Sequence, residues 1–256
     1  MKAKGWSIPD TSRRVFGFLD AELDWPRARV ADVGAGRGAF SQLLAEHLHA
    51  RGLEPRTHVF PCDLIPASFE VEELACRQTG ADGRLPFAEA EFDATVSMEV
   101  IEHVEDQFAF LRELVRVTKP GGLVVVTTPN TLHMVSRLRT LATGFPTLFD
   151  PLPLAVHDPR RCGGHIHPIA PYFLAYTALR AGIVEPRLVH DRRKSSASAL
   201  ALLAAPFWLA GGAWQRARHA RKQPELLAEN RALLAQASGW DLLTGRTAIL
   251  VGRRPR

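Results

Sequence analysis

Apolar positions along the chain follow two spacings. Over positions 10–23, Val15, Phe16, Leu19 and Leu23 recur on one helical face, with Asp10, Thr11 or Ser12 available to cap its start. Residues 29–33 form a short apolar run that enters Gly34, Gly36 and Gly38, and over 40–50 the helical spacing returns through Leu43, Leu44, His47 and Leu48. The unit reads as strand, glycine turn, helix. A second strand at 58–60 ends at Cys62 and Asp63, and a helix is expected over about 67–78. Residues 92–98 predict the next strand. Residues 109–117 predict a helix whose inner face is Phe110, Leu111, Leu114 and Val117, stopped by Lys119-Pro120-Gly121-Gly122, which turns the chain into a strand at 123–128.

Repeated β-α-β alternation implies an α/β fold: a Rossmann-like, open, mostly parallel sheet with helices on both faces. Beyond Pro129 the pattern loosens into a loop rich in Pro and His, followed by a helix at 170–181. Two further strands, 184–189 and 247–252, bracket a C-terminal helical insertion at about 195–240 and would close one edge of the sheet. Three parts are expected: a helical cap at 1–28, a glycine-loop core at 29–130, and the remainder at 131–256.

Composition narrows the class without choosing a function. With 256 residues, 46% hydrophobic and 23% charged, the chain is neither collagen-like nor disordered. Cys62, Cys76 and Cys162 are far apart and form no CxxC, so neither a disulfide framework nor a zinc knuckle is indicated, and a reducing cytoplasmic setting is expected. The first residues carry no continuous apolar stretch after their lysines, so a secretory signal is not expected.

The net charge of +5 is unevenly placed: 13 Lys/Arg stand against 5 Asp/Glu from position 183 onward, and 19 against 22 before it. The most apolar run, 199–214, falls short of the roughly 20 residues of a spanning helix and contains Pro206, Gly211 and Gly212, so no transmembrane span is expected. With Phe207, Trp208 and Trp214 beside Arg216, Arg218, Arg221 and Lys222, the segment 199–222 suits peripheral membrane contact, a cover for the substrate site, or a dimer partner. Stacking aromatics are not interleaved with these basic residues, which argues against nucleic acid.

Three features carry candidate chemistry for a ligand. In a parallel sheet ligands bind beyond the carboxyl ends of the strands, where glycines let backbone and ligand approach closely. The loop after Asp32-Val33 reads Gly34-Ala35-Gly36-Arg37-Gly38, which serves either a nucleotide-like ligand or a tight βα connection. Asp63, just past the second strand, can accept hydrogen bonds from both hydroxyls of a ribose or cap the following helix. Ala81-Asp82-Gly83-Arg84-Leu85-Pro86-Phe87 then precedes Phe92-Asp93.

In this order, with the KPGG turn after them, these segments resemble the class I S-adenosylmethionine-dependent methyltransferases over about 29–130. The resemblance implies that Gly34, Ala35 and Gly36 lie against the methionine part of S-adenosylmethionine, that Asp32 orients the loop or the amino group, that Asp63 binds the ribose, that Asp82 and Gly83 meet the adenine, and that Met98 lines the pocket. It makes 29–130 the cofactor core and gives 131–256 the task of covering the acceptor, with Phe145, Phe149 and His157 in the lid.

A fourth feature is Glu99-Val100-Ile101-Glu102-His103. If a helix begins here, both acids and the histidine share one face; Gly163-Gly164-His165-Ile166-His167-Pro168, beyond Thr128-Pro129-Asn130, could bring an imidazole to the same mouth. The arrangement resembles the ubiquinone-biosynthesis O-methyltransferases and the small-RNA 2′-O-methyltransferases. That resemblance implies a divalent cation (Mg, Mn or Fe) held by Glu99, Glu102, His103 and His165. Without a metal the acids would cap a helix or shape the pocket, and His165 or His103 would act as general base, with His167 the lesser alternative.

The reading is an enzyme that methylates an oxygen of a small-molecule, sugar or lipid-linked acceptor. Two alternatives stay open: a metal-independent N- or C-methyltransferase, and a non-catalytic cofactor-binding regulator or scaffold. The sequence does not specify an oligomeric state.

Overall fold

The computed structural model describes residues 9–80, 82–155, 164–191, 195–237 and 239–256. Helix α1 (Pro9–Glu22) precedes β1 (Val30–Val33), α2 (Ala39–His49), β2 (Val59–Asp63), a two-residue β3 (Arg77–Gln78) and β4 (Phe92–Met98). Then follow α3 (Gln107–Val117), β5 (Thr118–Pro129), α4 (Met134–Thr143), α5 (Pro171–Arg180) and β6 (Val184–His190). The insertion is α6 (Ser195–Lys222), α7 (Pro224–Glu229), α8 (Arg231–Gln236) and α9 (Trp240–Thr244), and β7 (Thr247–Arg253) closes the chain.

Among the described residues the strands form one seven-stranded sheet in the order β3-β2-β1-β4-β5-β7-β6. Pairings are parallel from β3 to β5, and β7 runs antiparallel to both its neighbours. The strand order reverses at β1, so the cleft beyond Val33 and Met98 is where such a sheet receives a ligand.

Both faces of the sheet are covered. Leu111, Leu114 and Val117 of α3 and Leu174, Ala175 and Ala178 of α5 pack on Val33, Phe92, Val124 and Val126. On the other face Val15 and Leu19 of α1 and Phe40, Leu44 and Leu48 of α2 pack on Val30, Val59, Val96 and Val125. Each buried Val, Leu or Phe among them contributes about 1.5–3 kcal/mol on burial. A third, smaller cluster joins Met134 of α4 to Ala197 and Ala201 of α6, with Leu243 beside them.

Four expectations are corrected. The helix expected over 67–78 is absent: a single 3-10 turn, Pro66–Ser68, leads into an extended path and β3. Tertiary partners claim this backbone, since Glu70 N–H donates to Arg37 O at 3.2 Å and Glu73 O accepts from Arg56 Nε at 2.8 Å. Phe69 and Val71 meanwhile pack on the core under α2.

The KPGG segment does not precede the strand but lies within it, as a bulge. Thr118 pairs with Phe92 and Leu123 with Ala94, so residues 119–122 loop out between two ladder positions. The loop expected after Pro129 contains α4, capped by His133 Nδ1, which accepts the Ser136 N–H at 3.3 Å, and closed by Gly144 at φ 81°. Last, α6 runs unbroken through Pro206, and Ala197–Lys222 is long and apolar enough to cross a membrane.

Candidate active site

Beyond β1 the glycine loop is tied to the end of β2, for Gly34 and Ala35 N–H both donate to Cys62 O at 2.8 and 3.1 Å. Gly34 has φ 75°, and a Cβ there would come within 2.3 Å of Val100 Cγ2. No other residue fits a backbone so placed. The loop therefore presses on the turn that follows β4.

Asp63 closes the floor of the cleft. Its Oδ2 accepts the Gly36 N–H and its Oδ1 the Ile65 N–H, both at 2.8 Å, so the carboxylate bridges the ends of β1 and β2. Asp32 lies behind the loop, 2% exposed, and accepts the Ser41 hydroxyl at 2.6 Å. Burial pushes its carboxyl up to about 6 against that hydrogen bond, and the charge of Asp63 adds to the rise.

Asp82 and Gly83 form an exposed turn in which Gly83 N–H donates to Gly80 O at 3.0 Å and Asp82 Oδ1 accepts the Arg84 N–H at 3.1 Å. The turn is held beside β2 by the Thr79 N–H on Asp63 O, 3.0 Å. Met98, the last residue of β4, is buried on the α1 and α2 side of the sheet.

The acid and imidazole groups converge differently from a helical arrangement. Only a 3-10 turn, Ile101–His103, forms here, and Glu99 precedes it at φ 56°. Glu102, His103 and His165 each bring a ligand atom within 4.8 Å of the others. The Glu99 carboxylate instead accepts the Thr127 hydroxyl at 3.0 Å, outside that trio. Three of the four residues with expected metal roles are thus brought together.

Each of the three is held from behind. Glu102, fully buried, accepts the Thr128 hydroxyl on Oε2 at 3.1 Å, and its backbone oxygen receives the N–H groups of Ile166 and His167 at 2.9 and 3.0 Å. Those two bonds bring His165 over the acid, Nε2 lying 4.0 Å from Glu102 Oε1. His103 Nδ1 lies 2.9 Å from Gly164 O. A carbonyl only accepts, so Nδ1 carries the proton and Nε2 the lone pair. His167 Nδ1 bonds Val104 O at 2.6 Å and serves to pin the loop.

Burial shapes the charge of the cluster. It pushes the Glu99 carboxyl up to about 7, against the Thr127 hydrogen bond, while Asp191 raises it and Arg246 lowers it. Glu102 is raised well above the usual carboxylate range by burial and then by Glu99. Burial, with the charge of His103, lowers His165 against the pull of the Leu148 backbone, a direction that favours the neutral imidazole. Glu102 Oε1 and His165 Nδ1 are buried without a hydrogen-bond partner. The orphaned Glu102 oxygen, with His165 Nε2 and the His103 imidazole beside it, fits a divalent cation, and a mixed carboxylate and imidazole set suits Mn or Fe as well as Mg.

Sequence reasoning missed the supporting residues. Thr127 and Thr128 are the hydroxyls that end the apolar run of β5 at the ligand edge of the sheet, a signal present in the pattern. Asp191, just past β6, accepts Thr11 Oγ1 at 2.8 Å and the Thr247 N–H at 3.0 Å, bringing α1 over the cleft. Of the expected lid, Phe149 packs on His165 with ring centroids 5.1 Å apart and Phe145 is exposed, whereas His157 lies outside the described residues. A cavity at the opposite edge of the strands has two ion pairs in its lining, Lys119 with Asp93 at 2.8 Å and Arg253 with Glu22 at 2.6 Å.

Comparison with known proteins agrees with this geometry. Residues 31–126 match the model of a methyltransferase domain. A ubiquinone biosynthesis O-methyltransferase of Cereibacter sphaeroides (strain ATCC 17029) is 36% identical over 120 residues, covering 44% of this chain and 45% of that protein. The chloroplastic tocopherol O-methyltransferase of Arabidopsis thaliana is 33% identical over 123 residues, covering 46% and 35%. The chain thus spans less than half the length of these curated relatives.

Among solved structures, a SAM-dependent methyltransferase from Archaeoglobus fulgidus superposes with a TM-score of 0.57 at 12% identity, covering 95% of this chain and 93% of that one. Phosphoethanolamine N-methyltransferase 2 of Haemonchus contortus, in complex with S-adenosyl-L-methionine, gives 0.52 at 16% identity, covering 98% and 53%. These two likenesses bear on the fold. Residues 31–126 of this chain thus match a methyltransferase domain in sequence, and the chain takes the fold of these two structures.

Proposed function

We propose that the chain is an enzyme that moves the methyl group of S-adenosylmethionine to an oxygen of a small-molecule acceptor, with Glu102, His103 and His165 holding a divalent cation at the acceptor end. The observation that carries the reading is the packing of Gly34 on Val100, which abuts the donor loop on the turn bearing Glu102 and His103. A donor at the loop and an acceptor at the cluster would meet across one side chain.

S-adenosylmethionine supplies a methyl already activated on a sulfonium, so the protein's main task is to hold the nucleophile in line, a contribution of several kcal/mol or more. In this reading Asp63 takes the ribose hydroxyls, Gly34, Ala35 and Gly36 pass along the methionine part, and Asp32 steadies the loop through Ser41. Asp82 and Gly83 border the adenine and Met98 the floor. A divalent cation, when bound, supplies Lewis acidity at the acceptor hydroxyl. Glu102 and His103 are pre-oriented for it by Thr128 and Gly164.

A second reading is favoured by His165 itself: a neutral, half-buried imidazole can accept the acceptor's proton without metal, worth about 10²–10⁴ in rate. N- or C-methylation, and a protein that binds the donor without turnover, are distinguished from both by product analysis.

The test is calorimetry with S-adenosylhomocysteine, followed by thermal melts with Mn²⁺ and EDTA. Wild type binds the nucleoside and Asp63→Ala weakens it at least about tenfold; failure of the wild type to bind overturns the reading. Mn²⁺ raises the melting temperature of wild type and not of Glu102→Ala. Identical melts in Mn²⁺ and EDTA remove the cation and leave His165 as base.

A further inference from the structure

Helix α6 uses very little of itself to fold. Ala197 and Ala201 are fully buried, and Leu200, Ala204 and Trp208 are partly so, against Met134 and Leu243. Positions 197, 201, 204 and 208 trace one stripe. Elsewhere Leu202, Leu203, Phe207, Leu209 and Trp214 stand 69%, 81%, 71%, 70% and 65% exposed. The most apolar 18-residue window of Ala197–Lys222 has a mean hydropathy of 1.4, and 11% of it is buried. Helix α4, packed on α6, adds exposed Leu138 and Leu141, and its Arg137 lies over the Trp208 ring at 4.2 Å. Contiguous exposure on this scale marks an interaction surface.

Topology excludes a single crossing. Strand β6 ends at His190, which pairs with Ala248 at the start of β7, so both ends of the insertion return to the same edge of one sheet. A single span would separate β7 from β6 by a bilayer. The helix must therefore lie along whatever it meets.

Charge identifies that surface. Residues 195–215 contain no Asp, Glu, Lys or Arg, while Arg192, Arg193 and Lys194 precede them and Arg216, Arg218, Arg221 and Lys222 follow; no acid occurs over 192–224. A flank of one sign around an uncharged apolar stretch with Trp at its basic end matches an anionic lipid interface, where each cation contributes about 1 kcal/mol. A protein partner would call for mixed charges at the rim.

We propose that α6 is a monotopic docking helix that seats the protein on an anionic lipid bilayer, with Leu202, Leu203, Phe207 and Trp214 in the acyl boundary and the basic flank on the headgroups. The insertion leaves the sheet at the edge where β4 and β5 end, so the docked face is on the same side as the Glu102 cluster. Docking stands on α6 alone. Only its corollary, an acceptor that enters from the lipid, rests on the methyl-transfer reading.

The test is co-sedimentation of the full chain with phosphatidylcholine vesicles made with or without phosphatidylglycerol. Wild type partitions at least about tenfold more strongly onto the anionic vesicles, and salt reduces the difference. Leu203→Glu with Phe207→Glu, and separately Arg216→Gln, Arg218→Gln and Arg221→Gln with Lys222→Gln, each lower partitioning about tenfold while S-adenosylhomocysteine binding is kept. Quenching of wild-type tryptophan fluorescence by brominated lipid gives a readout that needs no variant. Equal recovery with and without anionic lipid, or no quenching, overturns the proposal. So does a dimer, seen by sedimentation velocity, that Leu203→Glu dissolves while vesicle binding is absent. Loss of nucleoside binding by wild type would strike the methyl-transfer reading and leave the vesicle result standing.

Discussion

Gly36 and Asp63 hold each other across the ends of two neighbouring strands, the glycine N–H donating to the carboxylate at 2.8 Å while Ile65 N–H takes the other oxygen. The acid is thereby fixed with both oxygens oriented, each keeping a second lone pair for a ligand hydroxyl. Asp63→Ala loses the tie and the acceptor together. Hydrogen bonds to a charged group are worth about 1.5–3 kcal/mol each, so S-adenosylhomocysteine affinity should fall by about 10–100-fold, with Asp63→Asn intermediate. Unchanged affinity in calorimetry would move the ribose elsewhere.

Gly34 couples the donor loop to the acid-bearing turn through shape alone. Alanine there meets both a left-handed backbone and a Cβ to Val100 Cγ2 approach of 2.3 Å. Left-handed strain of about 1–2 kcal/mol adds to overpacking of about 1–3 kcal/mol. Gly34→Ala should lower urea stability accordingly, and Val100→Ala on that background should recover the packing share but not the strain. No recovery would show that the two residues do not touch.

His190, at the end of β6, is pushed down to about 4 by burial, with Asp241 and Asp191 pulling the other way. Between pH 6.5 and 4 the unfolded chain binds the proton and the folded one does not. Stability is therefore whole above pH 6.5 and falls as pH drops towards 4, by up to about 3 kcal/mol. Denaturant titrations across that range should show the slope in wild type and a flatter line in His190→Gln. Equal slopes would assign the acid sensitivity to other groups.

Glu102 has one buried oxygen with no partner and Glu99 nearby, a costly arrangement for the chain without a cation. Glu102→Gln should raise the melting temperature in EDTA, where a fully folded wild type carries that cost, and should abolish the rise with Mn²⁺. A fall in EDTA would mean that the acid's bonds to its neighbours outweigh its desolvation.

What the sequence disclosed follows from how local each cause is. Strand β4 was legible to the residue because Phe92, Ala94, Val96 and Met98 alternate with polar residues between an acidic turn and the ExxEH segment. The 67–78 segment misled because its helical periodicity is real, yet its backbone partners, Arg37 and Arg56, are distant in sequence. Helix α4 was hidden by an unusual cap, His133 in place of Ser, Thr, Asp or Asn. The resemblance named Glu102, His103 and His165 together with Glu99, which the fold sets apart, since φ 56° at that residue reverses the chain before any helical face forms. Pro206 told against a long helix, yet α6 continues through it.

The order of strands in the sheet also sets an order in time. Strand β7, made after both of its neighbours, is the wedge between β5 and β6. Until residues 247–253 leave the ribosome, β6 has no partner on that side, the carbonyls of Leu242 and Gly245 cannot yet receive Asn130, and Asp191 has no Thr247 to hold. During that interval the apolar insertion α6 is already complete and tethered to an unfinished edge.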